Sequence, residues 1–343
     1  MSRKTITDLA QAAGVSIATV DRVLSGRLRV REETARKVYD AAEKIGFYGS
    51  NLIRQRVFAD IPQYRLGVIL RKERHAFYQV LASELELAAS NTRDCKINLD
   101  IQFASSSDPK ELVELLQRFK GRVHAVAATG PDHHTVTEAV RDLKQGGIPT
   151  FSLLSDFAQG IRENYIGLNN LKVGRTAAWL ISKLSSRAGK VVLFLGGHKF
   201  HGHALREAGF RSYIREYAEQ FEVLDPLVNL ETRGLTYEAL SGLLARYSDL
   251  VGVYCAGGGM EGAIEAMREA ASDRDVVCIV NELTDESRAA LLDRTISCVL
   301  ATPVQGLCAD LMAATITAVE SGMAKTPGQR FLAPQIWVPD SLL

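Results

Sequence analysis

From Arg65 onward, short apolar runs alternate with amphipathic stretches, and this alternation restricts the fold more than any other feature of the chain. LGVIL (66–70) is apolar at every position, as a strand buried on both faces requires. Runs of the same kind occupy 97–103, 124–129, 149–154, 190–195, 222–228, 250–255, 276–281 and 296–301. Between them, helical spacing of apolar residues marks 77–90, 109–120, 132–144, 171–185, 203–218, 235–246, 260–271, 285–292 and 304–321. Such alternation predicts parallel sheets covered by helices on both faces. About ten strands exceed one comfortable open sheet, so two lobes are expected. Chain crossings are expected near 155–170, 300–305 and 325–335. Ligands of such sheets sit beyond the carboxyl ends of the strands, here in the cleft between the lobes.

The first 60 residues read differently. Ile6, Leu9, Ala10 and Ala13 form one apolar helix face, which Thr5 or Thr7 can cap. Gly14 permits a sharp turn, and Ser16 can cap a second helix over Ile17–Leu24. That helix buries Val20, Val23 and Leu24 and turns Ile17, Ala18, Thr19, Asp21 and Arg22 outward. Two short helices about a glycine turn, with a polar outer face, make a helix-turn-helix, whose second helix enters the DNA major groove. A third helix runs from Arg31 to Ile45 and stops at Gly46. Phe47 and Tyr48 are expected to cover the open end of this bundle. Domains are therefore expected over 1–48 (headpiece), 49–63 (hinge) and 64–343 (body). Ser50 or Asn51 can cap a hinge helix through Val57, too short to be stable alone.

Charge follows the same division. Residues 1–60 carry a net +4 and the remainder a net −3, which suits phosphate contact by the headpiece alone. Arg27, Arg29 and Arg31 follow the second helix, and each phosphate contact steepens salt dependence. The five cysteines are scattered, without C-x-x-C spacing, and lie mostly in apolar runs. They read as buried reduced thiols. The N-terminal stretch lacks the apolar core of a signal peptide, and no apolar run reaches about 18 residues. A cytoplasmic protein with no membrane span is expected.

The stretch T-I-T-D-L-A-x-x-A-G-V-S-I-A-T-V-D-R-V-L-S-G, then V-R-E-E-T-A-R-K-V and I-G-F, resembles the headpiece of the LacI family of bacterial transcription regulators. Y-I-G-L-N-N-x-x-V-G-R-T-A (165–177) and L-R-E-A-G-F-R (205–211) are similar to the family's effector domain. The resemblance implies a small all-α helix-turn-helix headpiece followed by an α/β, two-lobed, periplasmic-binding-protein-like domain. It implies base reading by Ile17, Ala18 and Arg22 and phosphate contact by Thr5, Ser16 and Thr19. Arg22 can fork onto guanine O6 and N7, whereas Ile17 and Ala18 offer apolar contact to a thymine methyl. Asp21 replaces the usual serine. It either pairs with a neighbouring arginine or reads a cytosine amino group. Gly49 and Ser50 replace the usual Pro-Asn, and Arg56 replaces the leucine that wedges into the minor groove. With Arg54, Arg56 is expected to meet DNA through charge.

For the cleft, the resemblance implies an effector-anchoring arginine at Arg206, which can fork onto a hydroxyl pair or a carboxylate. Phe77 and Tyr78 either line the site or pack the core. Asp156 stands near the acid of sugar binders, although Leu154 and Ser155 do not reproduce the usual Asp-Arg pair. His198, His201 and His203 form H-x-x-H-x-H. Without a nearby carboxylate or cysteine they are expected to line the pocket, with His198 foremost, rather than hold a metal. At Gly257-Gly258-Gly259, where the family has Asn-Asp at the positions of Ala256 and Gly257, the glycines either present N–H groups to an anion or permit close helix packing. Asn281, Glu282 and Thr302 fall at strand ends facing the cleft. No catalytic motif and no cofactor is expected. The expected protein is a homodimeric, sequence-specific DNA-binding regulator, most simply a repressor. Its effector is a sugar, polyol or anionic sugar derivative. A small-molecule receptor without DNA binding is the alternative.

Overall fold

The structure, a computed structural model, describes residues 4–26, 30–57, 61–93, 95–270 and 275–342, and leaves out the side chains of 32 and 55–57. The chain divides into two compact units, Met1–Gln63 with Arg93–Lys96, and Tyr64–Thr92 with Ile97–Leu343.

The first unit holds α1 (Ile6–Ala13), α2 (Ile17–Ser25), α3 (Glu32–Ile45) and α4 (Ser50–Val57). Thr5 and Asp8 cap α1 reciprocally. Thr5 N–H donates to Asp8 Oδ2 at 2.8 Å, and Asp8 N–H donates to Thr5 Oγ1 at 3.3 Å. These bonds lower the Asp8 pKa. Thr5→Ala is expected to destabilise this unit by about 1 kcal/mol, read as a lower helical melting midpoint. The first three helices end on glycines in the left-handed region, Gly14, Gly26 and Gly46. Leu9, Val20, Val38, Ala42 and Phe47 form the core, and Ile53 of α4 is buried with them. The hinge helix is therefore folded here, because Ile53 gives it an apolar anchor in the bundle. Gly49 fits its place sterically, since a methyl there would lie 2.9 Å from the Phe47 ring. Phe47 closes the bundle as expected, whereas Tyr48 is 63% exposed.

The second unit begins with β1 (Gln63–Arg71), α5 (Ala76–Ser90), β2 (Lys96–Ala104), α6 (Pro109–Phe119), β3 (Ala125–Ala128), α7 (His134–Gln145), β4 (Thr150–Leu153) and β5 (Asn164–Leu168). It continues with α8 (Asn170–Leu184), β6 (Gly189–Leu195), α9 (His201–Tyr217), β7 (Phe221–Val223), β8 (Leu227–Val228), α10 (Arg233–Arg246), β9 (Leu250–Cys255) and α11 (Met260–Glu269). It ends with β10 (Val277–Asn281), α12 (Asp285–Leu292), β11 (Cys298–Ala301), α13 (Val304–Glu320), β12 (Gly328–Leu332), β13 (Gln335–Trp337) and a short 3-10 turn.

Two sheets result, ordered β12-β5-β4-β3-β1-β2 and β13-β11-β10-β9-β6-β7, with β8 also on β6. Their inner strands are parallel, and β13 joins β11 antiparallel. Leu66, Val68, Ile69 and Leu70 have no exposed surface, as the unbroken apolar run requires. The chain passes between sheets after β5, after β11 and after β12, each inside a window read from the sequence. Two of those windows also contain strands that the sequence reading does not assign, β5 and the β12–β13 pair. The run 222–228 is two strands rather than one, since Pro226 has no N–H to donate and splits β7 from β8.

Candidate functional site

On the headpiece, α2 starts from Ser16, whose hydroxyl accepts from Thr19 N–H at 3.2 Å and pairs with Thr19 Oγ1 at 2.9 Å. This cap fixes the direction in which α2 leaves the Gly14 turn. Val20 and Val23 face inward, and Ile17, Ala18, Asp21 and Arg22 are exposed together. Ile17 is 52% exposed on that face. Thr5 and Arg54 are also exposed, while Thr19 is half-buried. Arg27 and Arg29 lie outside the described residues, as does the Arg56 side chain.

In the body, a cavity of about 80 Å³ lies between the lobes at the carboxyl ends of the strands. Its lining includes the aromatic and apolar side chains of Phe77 and Tyr78 of α5, Phe200 and Met260. Arg206 on α9 also lines it. Its Nε donates to Asn170 Oδ1 at 2.7 Å and its Nη1 to the Ala256 carbonyl at 2.7 Å. Asn170 in turn donates to the Leu154 carbonyl and the Tyr165 hydroxyl, both at 3.1 Å. The motifs around 165–177 and 205–211 thus meet in one hydrogen-bonded chain that orients the guanidinium.

Arg71 enters from the end of β1 and stacks over Phe200, 4.2 Å from its centroid. Its guanidinium donates to Glu231 Oε2 at 2.9 Å and to Ser107 Oγ at 2.5 Å. Burial works against the Glu231 carboxylate, but Arg71, His203 and Lys72 hold its pKa at about 2. Burial, with Arg206 and Arg71 nearby, brings His203 down to about 4, so its imidazole is neutral at physiological pH. Glu282 accepts from Thr302 N–H at 2.9 Å and Thr302 Oγ1 at 2.8 Å, while burial raises its pKa.

Five buried polar atoms on the lining lack a protein partner: Arg71 Nε, His75 Nδ1, Thr129 Oγ1, His203 Nδ1 and Asn281 Oδ1. Buried polar groups are rarely left so, and together they present both donors and acceptors to an occupant. The backbone is strained around the same cavity. Lys72, Leu154, Leu230, Glu231 and Glu282 all have positive φ, the left-handed region that side chains other than glycine avoid. Strain of this kind clusters at ligand sites.

Of the residues expected in the cleft, Phe77, Tyr78, Arg206, Gly257, Asn281 and Glu282 line the cavity together. Three do not. His198 is exposed, and His203, one turn into α9, lines the cavity instead. Asp156 is buried away from it in an ion pair with Arg162. Thr302 acts through Glu282 rather than on the lining. The glycine loop is not an open anion cradle, because a methyl on Gly258 would lie 2.9 Å from Glu231 Cβ and one on Gly257 2.8 Å from His203 Nε2. Arg71, Asn170 and Glu231 are not singled out by the sequence reading. The signal for Asn170 lay in the YIGLNN motif, and Arg71 is the charged residue that ends the LGVIL strand.

Over residues 66–322 the chain matches, and belongs to, the periplasmic binding protein domain family. Residues 5–50 match the bacterial regulatory proteins of the lacI family. The chain thus joins a lacI-family DNA-binding region to a periplasmic binding protein domain. It is 26% identical over 271 residues to the HTH-type transcriptional regulator GntR of Pseudomonas aeruginosa, covering 78% of this chain and 75% of that protein. It is 30% identical over 137 residues to catabolite control protein A of Streptococcus mutans, a match that spans 40% of this chain and 39% of that protein. The fold resembles an ABC transporter solute-binding protein from Burkholderia graminis, in complex with D-arabinose, with a TM-score of 0.75 and 16% identity over 82% of this chain and 98% of that one. Among the described residues, no helix is long and apolar enough to cross a membrane.

Proposed function

We propose that this LacI-type chain is a cytoplasmic repressor that binds operator DNA as a homodimer and is controlled by a sugar or sugar derivative in the interlobe cavity. One observation carries the reading. A capped reading helix with Ile17, Ala18 and Arg22 exposed shares a chain with a two-lobed body whose cavity has unpaired polar groups. Arg22 reads a guanine, Ile17 and Ala18 meet a thymine methyl, and Thr5, Ser16, Thr19 and Arg54 contact phosphates. Two such headpieces meet two half-sites of a near-palindrome. The D-arabinose of the Burkholderia graminis structure supports an occupant of sugar size. Coupling runs through α4, because Ile53 ties that helix into the headpiece core, and any pull on α4 is felt by α2. Operator and effector then change each other's affinity by the same factor. The cavity groups hold a ligand, and no chemical step is assigned to them.

The test is binding of the full chain to duplexes selected from a random-sequence pool, against bulk DNA, across a salt series. Specific sites are expected to bind at least about a thousandfold tighter. Arg22→Ala is expected to lower specific affinity by about 1–3 kcal/mol, roughly five- to 150-fold. Its melting temperature should stay that of the parent, because Arg22 is exposed. A chain with no sequence preference over bulk DNA is not a regulator of this kind.

A further inference from the structure

One carboxylate bridges the two lobes. Glu231 follows β8 in the second lobe, whereas Arg71 ends β1 in the first and Lys72 comes directly after it. Arg71 Nη1 and Lys72 Nζ converge on the same oxygen, Glu231 Oε2, at 2.9 and 3.3 Å. Lys72 Nζ also donates to the backbone oxygens of Glu231 at 2.9 Å and Leu230 at 3.3 Å. A guanidinium and an ammonium aimed at one oxygen form a seat for a carboxylate.

The present occupant of that seat is held awkwardly. Leu230 and Glu231 have φ of 50° and 54°, two consecutive residues in a region that suits glycine. Asn229 keeps them there by accepting from Glu231 N–H at 2.9 Å while donating to Thr236 and to the Gly258 carbonyl. Two glycines clear the path of the side chain. A methyl on Gly196 would lie 2.4 Å from Glu231 Cγ, and one on Gly258 2.9 Å from Cβ. The seat opens onto the cavity, because Arg71 and Glu231 both line it and Arg71 Nε has no protein partner.

The charges facing this point are few. Arg71, Lys72 and Arg206 stand against Glu231 and Glu282. His203 lies 3.8 Å from Glu231, and His75 lies 3.7 Å from Glu261. A buried cation needs a counter-charge. Glu231 therefore leaves Arg71 and Lys72 only when another anion replaces it. The rest of the lining, with Thr129 Oγ1 and Asn281 Oδ1 unpaired among aromatic side chains, suits hydroxyls on a carbon chain.

We infer that Glu231 is an intrachain stand-in for the acid group of the effector, and that the effector is a polyhydroxy carboxylate that displaces Glu231 from Arg71 and Lys72. The inference rests on the reading of the cavity as the effector site. It fixes the sign of an experiment. A Glu231 that merely accepted ligand hydroxyls would weaken binding when removed, whereas a competitor strengthens binding when removed.

The test is calorimetric titration of the full chain, without DNA, with hexuronates, hexonates, the matching neutral hexoses and hexose 6-phosphates. A uronate or hexonate is expected to bind at least about tenfold tighter than its neutral hexose. Both Glu231→Gln, which keeps the shape, and Glu231→Gly, which suits the left-handed backbone, are expected to bind that acid about tenfold tighter than the parent, as when a competing state populated nine times in ten is removed. Arg71→Gln is expected to abolish the preference for the acid. Melting temperatures of the three variants show that they are folded. Weaker acid binding in both folded Glu231 variants overturns the inference, as does a neutral hexose that binds as well as its acid. Binding of the 6-phosphates alone overturns the carboxylate, and no binding by any compound overturns the assignment. Because no DNA is present, failure here is distinct from failure to recognise an operator.

Discussion

Gly174→Ala is expected to destabilise the body by about 3 kcal/mol or more, the upper end of what overpacking a close contact costs. A methyl built on Gly174 lies 1.9 Å from the Arg206 carbonyl oxygen, and one on Gly209 lies 2.0 Å from the Leu171 carbonyl oxygen. α8 and α9 therefore touch backbone to backbone at two reciprocal points. In an ordinary helix the same exchange gains about 0.5–1 kcal/mol, since alanine loses less chain entropy than glycine. Here a rigid carbonyl blocks the methyl, and the helices must separate. Separation also pulls Asn170 of α8 from Arg206 of α9, so the effector anchor loses its orientation along with the stability. Calorimetric melting is expected to fall by several degrees, with ligand binding lost in parallel. Gly242→Ala is the internal contrast. It sits on α10, exposed, with no atom within 4 Å of the added methyl, and should stabilise slightly. A Gly174→Ala protein that melts with the parent would show that the helices do not approach so closely.

The same helix pair shows why so much of the fold was legible. Strands such as LGVIL are apolar throughout because both faces are covered, and a period of that kind survives in one dimension. The motifs around Gly174 and Gly209 were visible for the same reason, since a glycine with a carbonyl 2 Å from its missing methyl has no substitute. β5 was not legible as a strand, because YIGL is short and merges into the cap of α8. In the site, Arg206 and Asn281 could be placed from strand ends and motifs. Glu231 could not. It takes a left-handed conformation that the sequence normally advertises by glycine, and its partners Arg71 and Lys72 lie about 160 residues earlier in the chain. Asp156 was misplaced for a related reason. Its position after a strand was right for a ligand acid, but Arg162, six residues on, turns back and takes it. A strand end tells where a side chain begins, and only the three-dimensional neighbours tell what it meets.

That buried pair carries the second large effect. Asp156 accepts from Ser152 Oγ at 2.6 Å and from Arg162 Nη2 at 2.7 Å, while Arg162 Nη1 reaches the Gly328 carbonyl on β12 at 2.7 Å. The pair therefore ties β4 and the loop after it to the edge strand on which the chain leaves the first lobe for the last time. Asp156→Ala leaves the Arg162 guanidinium, 3% exposed, without its counter-ion, and is expected to cost about 3–5 kcal/mol. Replacing both residues together, Asp156→Leu with Arg162→Met, is expected to recover most of that loss, because no unpaired charge then remains. The pH dependence has a definite sign. Burial alone would raise the Asp156 pKa, but Arg162, Ser152 and Gln329 more than offset it, and the carboxyl lies below its usual value of 3.8. A depressed carboxyl pKa stabilises the fold above the unfolded value, about 3.9, and the contribution fades as pH falls through the folded one. The gap in melting temperature between the parent and Asp156→Ala should thus be full at pH 7 and narrow below about pH 4. If Asp156 touched the effector instead, Asp156→Ala would melt with the parent at pH 7 and lose only ligand affinity.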